Sequence, residues 1–229
     1  MKKILFSILL VLISTAIFAQ GKNKISGGLY AKGGLSWLSS DNKSYVSNDK
    51  VQVTYGFGAT MDYNFASNFS LNISAGYCNL AGIAKFKYGT EPFQEIDGNP
   101  IGGPYVNNYK YSISYIEVPV GIRGCTNEIG YMTYFLKLGI DPMVRVKAKV
   151  APGLESYVSN KSANLFNVGW FIGGGMEWSM VGNTRLLVEL CYLGTLVDLD
   201  KIKTYKEDGT TTNPKIKFND ISLKVGILF

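Results

Sequence analysis

The chain has no histidine at all. That absence removes the commonest general base and the commonest metal-ligating nitrogen in one stroke. Cysteine is nearly missing too: Cys78, Cys125 and Cys191 are an odd number at spacings that fit neither a metal site nor a disulfide framework. We read all three as packing residues. A Cys78–Cys191 bond stays open, because both fall on the same phase of their strands. No Ser-x-x-Lys lies in a recognisable catalytic context, so no enzyme activity and no cofactor are expected. Proline is sparse, at 7 residues. Beyond the first segment no apolar run is long enough for a membrane-spanning helix. The formal net charge of +6 is scattered and forms no basic stripe, so nucleic acid is not an implied partner.

What is present begins with MKKILFSILLVLISTAIFAQ. Lys2 and Lys3 form a basic n-region, Ile4 to Phe18 an apolar stretch, and Ala19 a small residue suited to cleavage before Gln20. Residues 1–19 are therefore expected to be a signal peptide and residues 20–229 a single domain. The apolar stretch is shorter than a transmembrane anchor needs. The domain is rich in residues that favour or punctuate strands, with 26 Gly, 15 Tyr and 12 Phe in the whole chain.

Its dominant pattern has period two. From Val51 to Phe65, Val51, Val53, Tyr55, Phe57, Ala59, Met61, Tyr63 and Phe65 alternate with small or polar residues. The pattern resumes with Phe69, Leu71, Ile73, Ala75 and Tyr77. Further strands are expected over Met132 to Val150, Phe166 to Trp178, Leu186 to Tyr192 and Ile221 to Phe229, with Pro142 predicting a bulge or bend in the first of these. Two strands are less regular. Ile25 to Leu38 is glycine-rich, with Leu29, Ala31, Leu35 and Trp37 outward, and Tyr109 to Arg123 changes its apolar phase, predicting a bulge at Tyr115 or Ile116.

Connections alternate between long (39–50, 84–108, 151–163, 198–215) and short (66–68, 124–130, 179–183). Eight antiparallel strands with that alternation predict an all-β, up-and-down transmembrane β-barrel, with short turns and both termini in the periplasm. A soluble eight-stranded barrel would carry polar outer faces. Here they are apolar, with aromatics near one rim (Trp37, Tyr55, Phe57, Phe166) and the other (Tyr63, Phe65, Phe69, Trp178, Phe229). The Gly173–Gly175 run superficially resembles a phosphate loop, but it lies in a strand pattern with no helix following, and close packing inside a barrel explains it better. Asp198, Asp200, Glu207 and Asp208 are interleaved with Lys201, Lys203 and Lys206, which reads as a solvated loop rather than a calcium site.

The signal ending in FAQ, the segment YIEVPVGIR from Tyr115 to Arg123, the Gly-rich strands and the final ISLKVGILF together resemble the outer-membrane β-barrel family of Bacteroidetes that includes the PorT-like proteins. The resemblance spans the mature chain and implies a barrel of OmpA/OmpX-like architecture in the outer membrane. It also implies outer-membrane lipids and the barrel-insertion machinery as partners. Phe229 resembles the terminal aromatic that this machinery reads. PorT itself belongs to the type IX secretion apparatus, so other envelope or secretion proteins are implied as partners. Known outer-membrane barrel enzymes resemble one another in using a histidine base, which this chain lacks.

The alternate phase of the strands carries Asp62, Glu117, Asp141, Glu177, Glu189 and Asp220 against Arg123, Lys137, Arg145, Lys147, Arg185 and Lys224. These residues are expected to line the lumen as a neutral ion-pair network; the alternative is an ion-selective channel. Eight strands enclose a space that side chains can fill, which favours the network. Turns centred on Asn127 and Val181 would set Glu117 opposite Lys137 and Glu177 opposite Arg185. For function the sequence leaves two readings. One is a non-catalytic structural or assembly component of the envelope, with protein secretion as the version implied by the resemblance. The other is a small channel or binding barrel whose long loops, carrying Tyr45, Tyr88, Tyr105, Tyr157 and Tyr205, capture a solute or surface.

Overall fold

The structure is a computed structural model and describes residues 24–88, 93–94, 100–101, 108–152, 158–159, 163–180, 182–199, 203–206 and 210–229. The leader, with Ala19 and Gln20, lies outside the described residues, as do Tyr105 and Tyr157, the side chain of Tyr205, and Asp200, Glu207 and Asp208.

The wall is built from β1 (Ile25–Ser40), β2 (Gln52–Ala66), β3 (Phe69–Phe86), β4 (Asn108–Glu117), β5 (Val120–Cys125), β6 (Met132–Pro152), β7 (Phe166–Ser179), β8 (Arg185–Thr195) and β9 (Ile216–Leu228). Apart from β4 and β5, which do not pair with each other, successive strands pair antiparallel. β4 and β5 occupy one place in the ring, each between β3 and β6. β9 closes on β1 from Gly28↔Leu228 to Ser40↔Ile216, so the ring has eight places and no free edge. A short strand, Val46–Lys50, extends the wall beside the upper end of β3.

The β4–β5 interruption has a local cause. Pro119 in the gap and Pro142 on β6 both lack an N–H, so the ladder cannot continue regularly between them. Val118 N still donates to Pro142 O at 2.9 Å, and Ser74 N to Pro119 O at 2.9 Å, which keeps the segment in the wall.

Two sequence expectations are corrected here. β6 runs through Pro142 without a bulge. The register irregularity falls at Tyr115, one of the two expected positions, where Ser114↔Lys147 gives way to Tyr115↔Arg145, but the extra residue is Val146 on the partner strand β6. Nor does β4 itself bulge where its apolar residues change phase. Tyr109, Tyr111, Ile113 and Tyr115 all point inward and are buried, whereas Ile116 and Val118 point outward. The outward phase is polar at Lys110, Ser112 and Ser114 and apolar at Ile116 and Val118, so alternation points to opposite faces in the two parts of the segment.

The bulge also reverses the phase of β6. Asp141, Met143 and Arg145 face inward before it, Ala148 and Val150 after it, and Lys147 and Lys149 turn to the outside. Lys147 therefore does not line the lumen.

The outer wall matches the expected face. Val53, Phe57, Leu136, Leu138 and Leu223 are at least half exposed to the surroundings, and Tyr63, Phe65, Phe69, Trp178 and Phe229 crowd the short-turn rim. In water this surface would be costly, whereas in hydrocarbon it is the favoured solution. Glycines thin the wall where inner side chains need room. A Cβ on Gly121 or Gly139 would come within 3 Å of the Phe171 ring, and one on Gly58 or Gly76 would strike the Tyr30 hydroxyl.

Candidate functional site: the charged interior

Three layers fill the barrel along its axis. At the long-connection end, Leu38, Leu80, Phe86, Tyr109, Ile113, Phe218 and their neighbours form an apolar core, with the Phe86 and Tyr109 rings edge to face at 5.3 Å. At the short-turn end Phe135, Leu187 and Leu228 form a smaller one. Between them lie the charges.

The lower part of the charged layer centres on Arg123. Its guanidinium donates through Nη1 to Asp62 Oδ2 at 2.8 Å and through Nη2 to Glu177 Oε1, and its plane lies over the Phe135 ring at 4.1 Å. Asn72 donates to Asp62 Oδ1 at 2.8 Å, so that carboxylate is held on both oxygens. Glu177 Oε2 accepts from Arg185 at 2.5 Å. Asp62, Arg123 and Glu177 are buried, and only Arg185, with a side chain 30% exposed, reaches the rim.

The middle part joins more distant strands. Lys137 Nζ on β6 meets Glu189 Oε2 on β8 at 2.8 Å, across β7. Gly173 of β7 lies opposite both Lys137 and Cys191. A Cβ there would stand 2.9 Å from Glu189 Oε1 and 3.4 Å from the Lys137 stem, so a side chain would obstruct the pair. This supplies the packing reason for a glycine in that run. Lys224 lies 3.7 Å from Glu189 Oε1 and 4.4 Å from the centre of the Tyr30 ring. Lys32 on β1 reaches Glu117 at 2.7 Å, and Tyr30 also donates to Glu117. Asp220 accepts from Thr54 at 2.7 Å, and Asp141 is buried nearby.

Small cavities lie in this layer among the described residues. One, of about 10 Å³, lies beside Asp62, Arg123 and Lys137, and another, of about 20 Å³, beside Lys32, Glu117, Asp141 and Lys224. Each is the size of one water.

The structure thus gathers Asp62, Glu117, Arg123, Lys137, Asp141, Glu177, Arg185, Glu189, Asp220 and Lys224 in one layer. Arg145 stands apart, half-buried opposite Tyr115. Lys147 lies outside, and Lys32 takes its place. Lys32 was missed in the glycine-rich β1, although it alternates with the outward Leu29, Ala31 and Leu35.

The expected cross-strand partners are corrected as well. Glu117 lies opposite Met143, and Lys137 opposite Arg123. The turn is a two-residue hairpin at Gly130 and Tyr131, both with positive φ (65° and 117°). Its centre lies beyond Asn127, which moves every pair. Glu177 lies opposite Leu187 and Arg185 opposite Ser179, because the next turn centres on Gly182 rather than Val181. Glu177 and Arg185 still meet, as diagonal neighbours. All three cysteines are free thiols, so Cys78 and Cys191 do not pair. Asp198 uses Oδ1 to accept from Ile216 N at 2.8 Å, which ties the last connection to β9.

A closed antiparallel ring with an apolar outer belt and a charged, densely filled interior defines a membrane β-barrel. The chain belongs to the outer membrane protein beta-barrel domain family, which matches residues 18–201. It is an outer-membrane β-barrel protein.

No curated protein matches the chain. Solved outer-membrane proteins are among the structures that resemble it. The attachment invasion locus protein Ail of Yersinia pestis, crystallised with the heparin analogue sucrose octasulfate, shares 15% identity over 90% of this chain and 100% of that one, with a TM-score of 0.43. OprG of Pseudomonas aeruginosa shares 12% over 89% and 92%, at 0.47. The outer membrane protease OmpT of Escherichia coli shares 8% over 91% and 97%, at 0.43.

Proposed function

We propose that this protein is a non-catalytic, non-conducting component of the outer membrane, with both termini in the periplasm and its leader removed after Ala19, and that it anchors or helps assemble a larger envelope complex. The observation that carries the reading is the three-layer filling of the barrel. Charges that meet their partners at 2.7–2.8 Å between two apolar cores, around cavities the size of single waters, hold the wall together and fill this layer among the described residues. The ion-pair network is structural in this proposal, a plug made of wall side chains.

With the interior spent on stability, work falls to the outer wall and the connections. The resemblance to PorT-like proteins supports protein secretion as the finer version of the role. Phe229 would present the terminal aromatic to the barrel-insertion machinery. Deleting the gene and measuring surface delivery of secreted proteins, together with the proteins that co-purify with the barrel from native membranes, tests it. Impaired delivery with secretion proteins co-purifying is expected. Unchanged delivery removes the secretion version, and a steady planar-bilayer conductance removes the plug.

A further inference from the structure

The outer wall is not the same all the way round. On the β3–β4–β6 side, above the aromatic cluster of Tyr55, Phe57 and Tyr77, whose rings lie 5.6–6.4 Å apart, the outward face turns polar. Tyr77 donates to Ser114, and Asn79 to Ser112 and Ser114. Beyond these come lysines. Lys147 lies opposite Ser114, Lys149 opposite Ser112, Lys110 and Lys50 opposite Ile83 on its two sides, and Lys85 two residues further along β3. Lys50, Lys85 and Lys147 are exposed, and Lys110 and Lys149 are half-buried.

Successive lysines are mostly diagonal neighbours across adjacent strands, ~7–8 Å apart. From the level of Lys147 to that of Lys85 the band rises six residues of strand, ~20 Å. The exposed carboxylate in these strand segments is Asp49, at the bulge beside Lys50. The facing wall is different at the same end. There Trp37, Tyr192 and Trp170 pack ring to ring at 5.2–6.4 Å, Tyr192 donates to Asn219, Asn219 donates to Ser39, and the outward cations on β9 and just before it are the half-buried Lys217 and the exposed Lys215.

A uniform interfacial girdle would not be split into an aromatic side and a lysine side. The lysines also stand on the side wall, directly above the membrane belt, rather than inside the mouth of the barrel. A ligand must therefore approach in the plane of the membrane. We propose that this wall is a docking surface for a lipid whose headgroup carries several phosphates, a phosphorylated glycolipid, with its phosphates on the Lys50–Lys85–Lys110–Lys149–Lys147 band and its acyl chains against the aromatic cluster below. Charge complementarity selects the headgroup, and the height of the band selects more than one phosphate. The docking surface rests on the outer-membrane assignment and not on the secretion role.

The test uses the full mature protein, folded in a zwitterionic detergent and titrated with lipid A, phosphatidylglycerol or phosphatidylcholine, with bound lipid read by native mass spectrometry. Wild type is expected to retain lipid A most strongly. The variant Lys50→Gln/Lys85→Gln/Lys147→Gln should bind it at least about tenfold more weakly. Lys24→Gln/Lys217→Gln, with its changes off the band, should match wild type. Heat-modifiable gel mobility confirms that each variant is folded. Equal retention of lipid A by the triple variant overturns the proposal, and so does retention of phosphatidylglycerol as strong as that of lipid A. Binding of a soluble acidic polysaccharide such as heparin with no lipid retained also overturns it, in favour of a macromolecular partner.

Discussion

The two halves of the barrel interior are closed by different physics. Toward the long connections, Phe86, Tyr109, Ile113 and Phe218 fill the lumen by contact alone, and each contributes through the area it removes from water. Toward the short turns, Asp62, Arg123, Glu177 and Arg185 fill it by pairing, and each depends on its partners. An apolar core loses what is cut from it. A buried charge network loses more when one member goes than when the group is replaced together, because the orphaned charge is what costs.

The largest effect is expected at Arg123. Arg123→Met leaves Asp62 and Glu177 buried without their shared cation and should cost about 3–5 kcal/mol, read by urea unfolding in lipid vesicles. Adding Asp62→Asn and Glu177→Gln should recover most of it. If the triple change is as unstable as the single, the lower half is held by shape and the contrast fails.

Phe218→Ala in the other half should cost about 3 kcal/mol. No polar change elsewhere should rescue it, and its loss should add to that of Arg123→Met in a double mutant, since the two lie in separate layers. Lys32→Met removes the ion partner of Glu117 but leaves the Tyr30 hydroxyl, so about 2–3 kcal/mol is expected. Double-mutant coupling with Glu117→Gln measures that pair directly.

Arg185→Met should cost under about 1 kcal/mol, because its side chain is 30% exposed and Glu177 keeps Arg123. A loss as large as that of Arg123→Met would show that the rim is drier than the exposure of Arg185 implies. The smallest effect belongs to Lys147→Met, within about 0.5 kcal/mol on the outer wall. A cost comparable to Lys32→Met would place Lys147 inside and deny the bulge at Val146.

Much of the barrel was legible in strands whose two faces differ. In β2 the apolar Val53, Tyr55 and Phe57 alternate with Thr54, Gly56 and Gly58, and hydrophobic alternation assigns the outside without ambiguity. In β4 it could not, since Tyr111 and Ile113 on one phase and Ile116 and Val118 on the other are equally apolar. The upper core was hidden there. The charged members were recognisable because an ionised side chain on a strand inside the hydrocarbon belt is driven to the lumen, a constraint that Lys147, above that belt, escapes.

The order of polar and apolar residues by itself determined that strands cross the membrane, how many places the ring has, and which face of the regular strands meets lipid. Those properties depend only on period two and on the lengths between strands. The tertiary structure alone decided who meets whom inside. A hairpin centred on Gly130 and Tyr131 rather than Asn127, and a single extra residue at Val146, each shift whole strands against their neighbours. Because the side-chain period is two, one residue of bulge carries Lys147 out through the wall, and across the lumen Lys32 comes from the far end of the chain to stand beside Glu117.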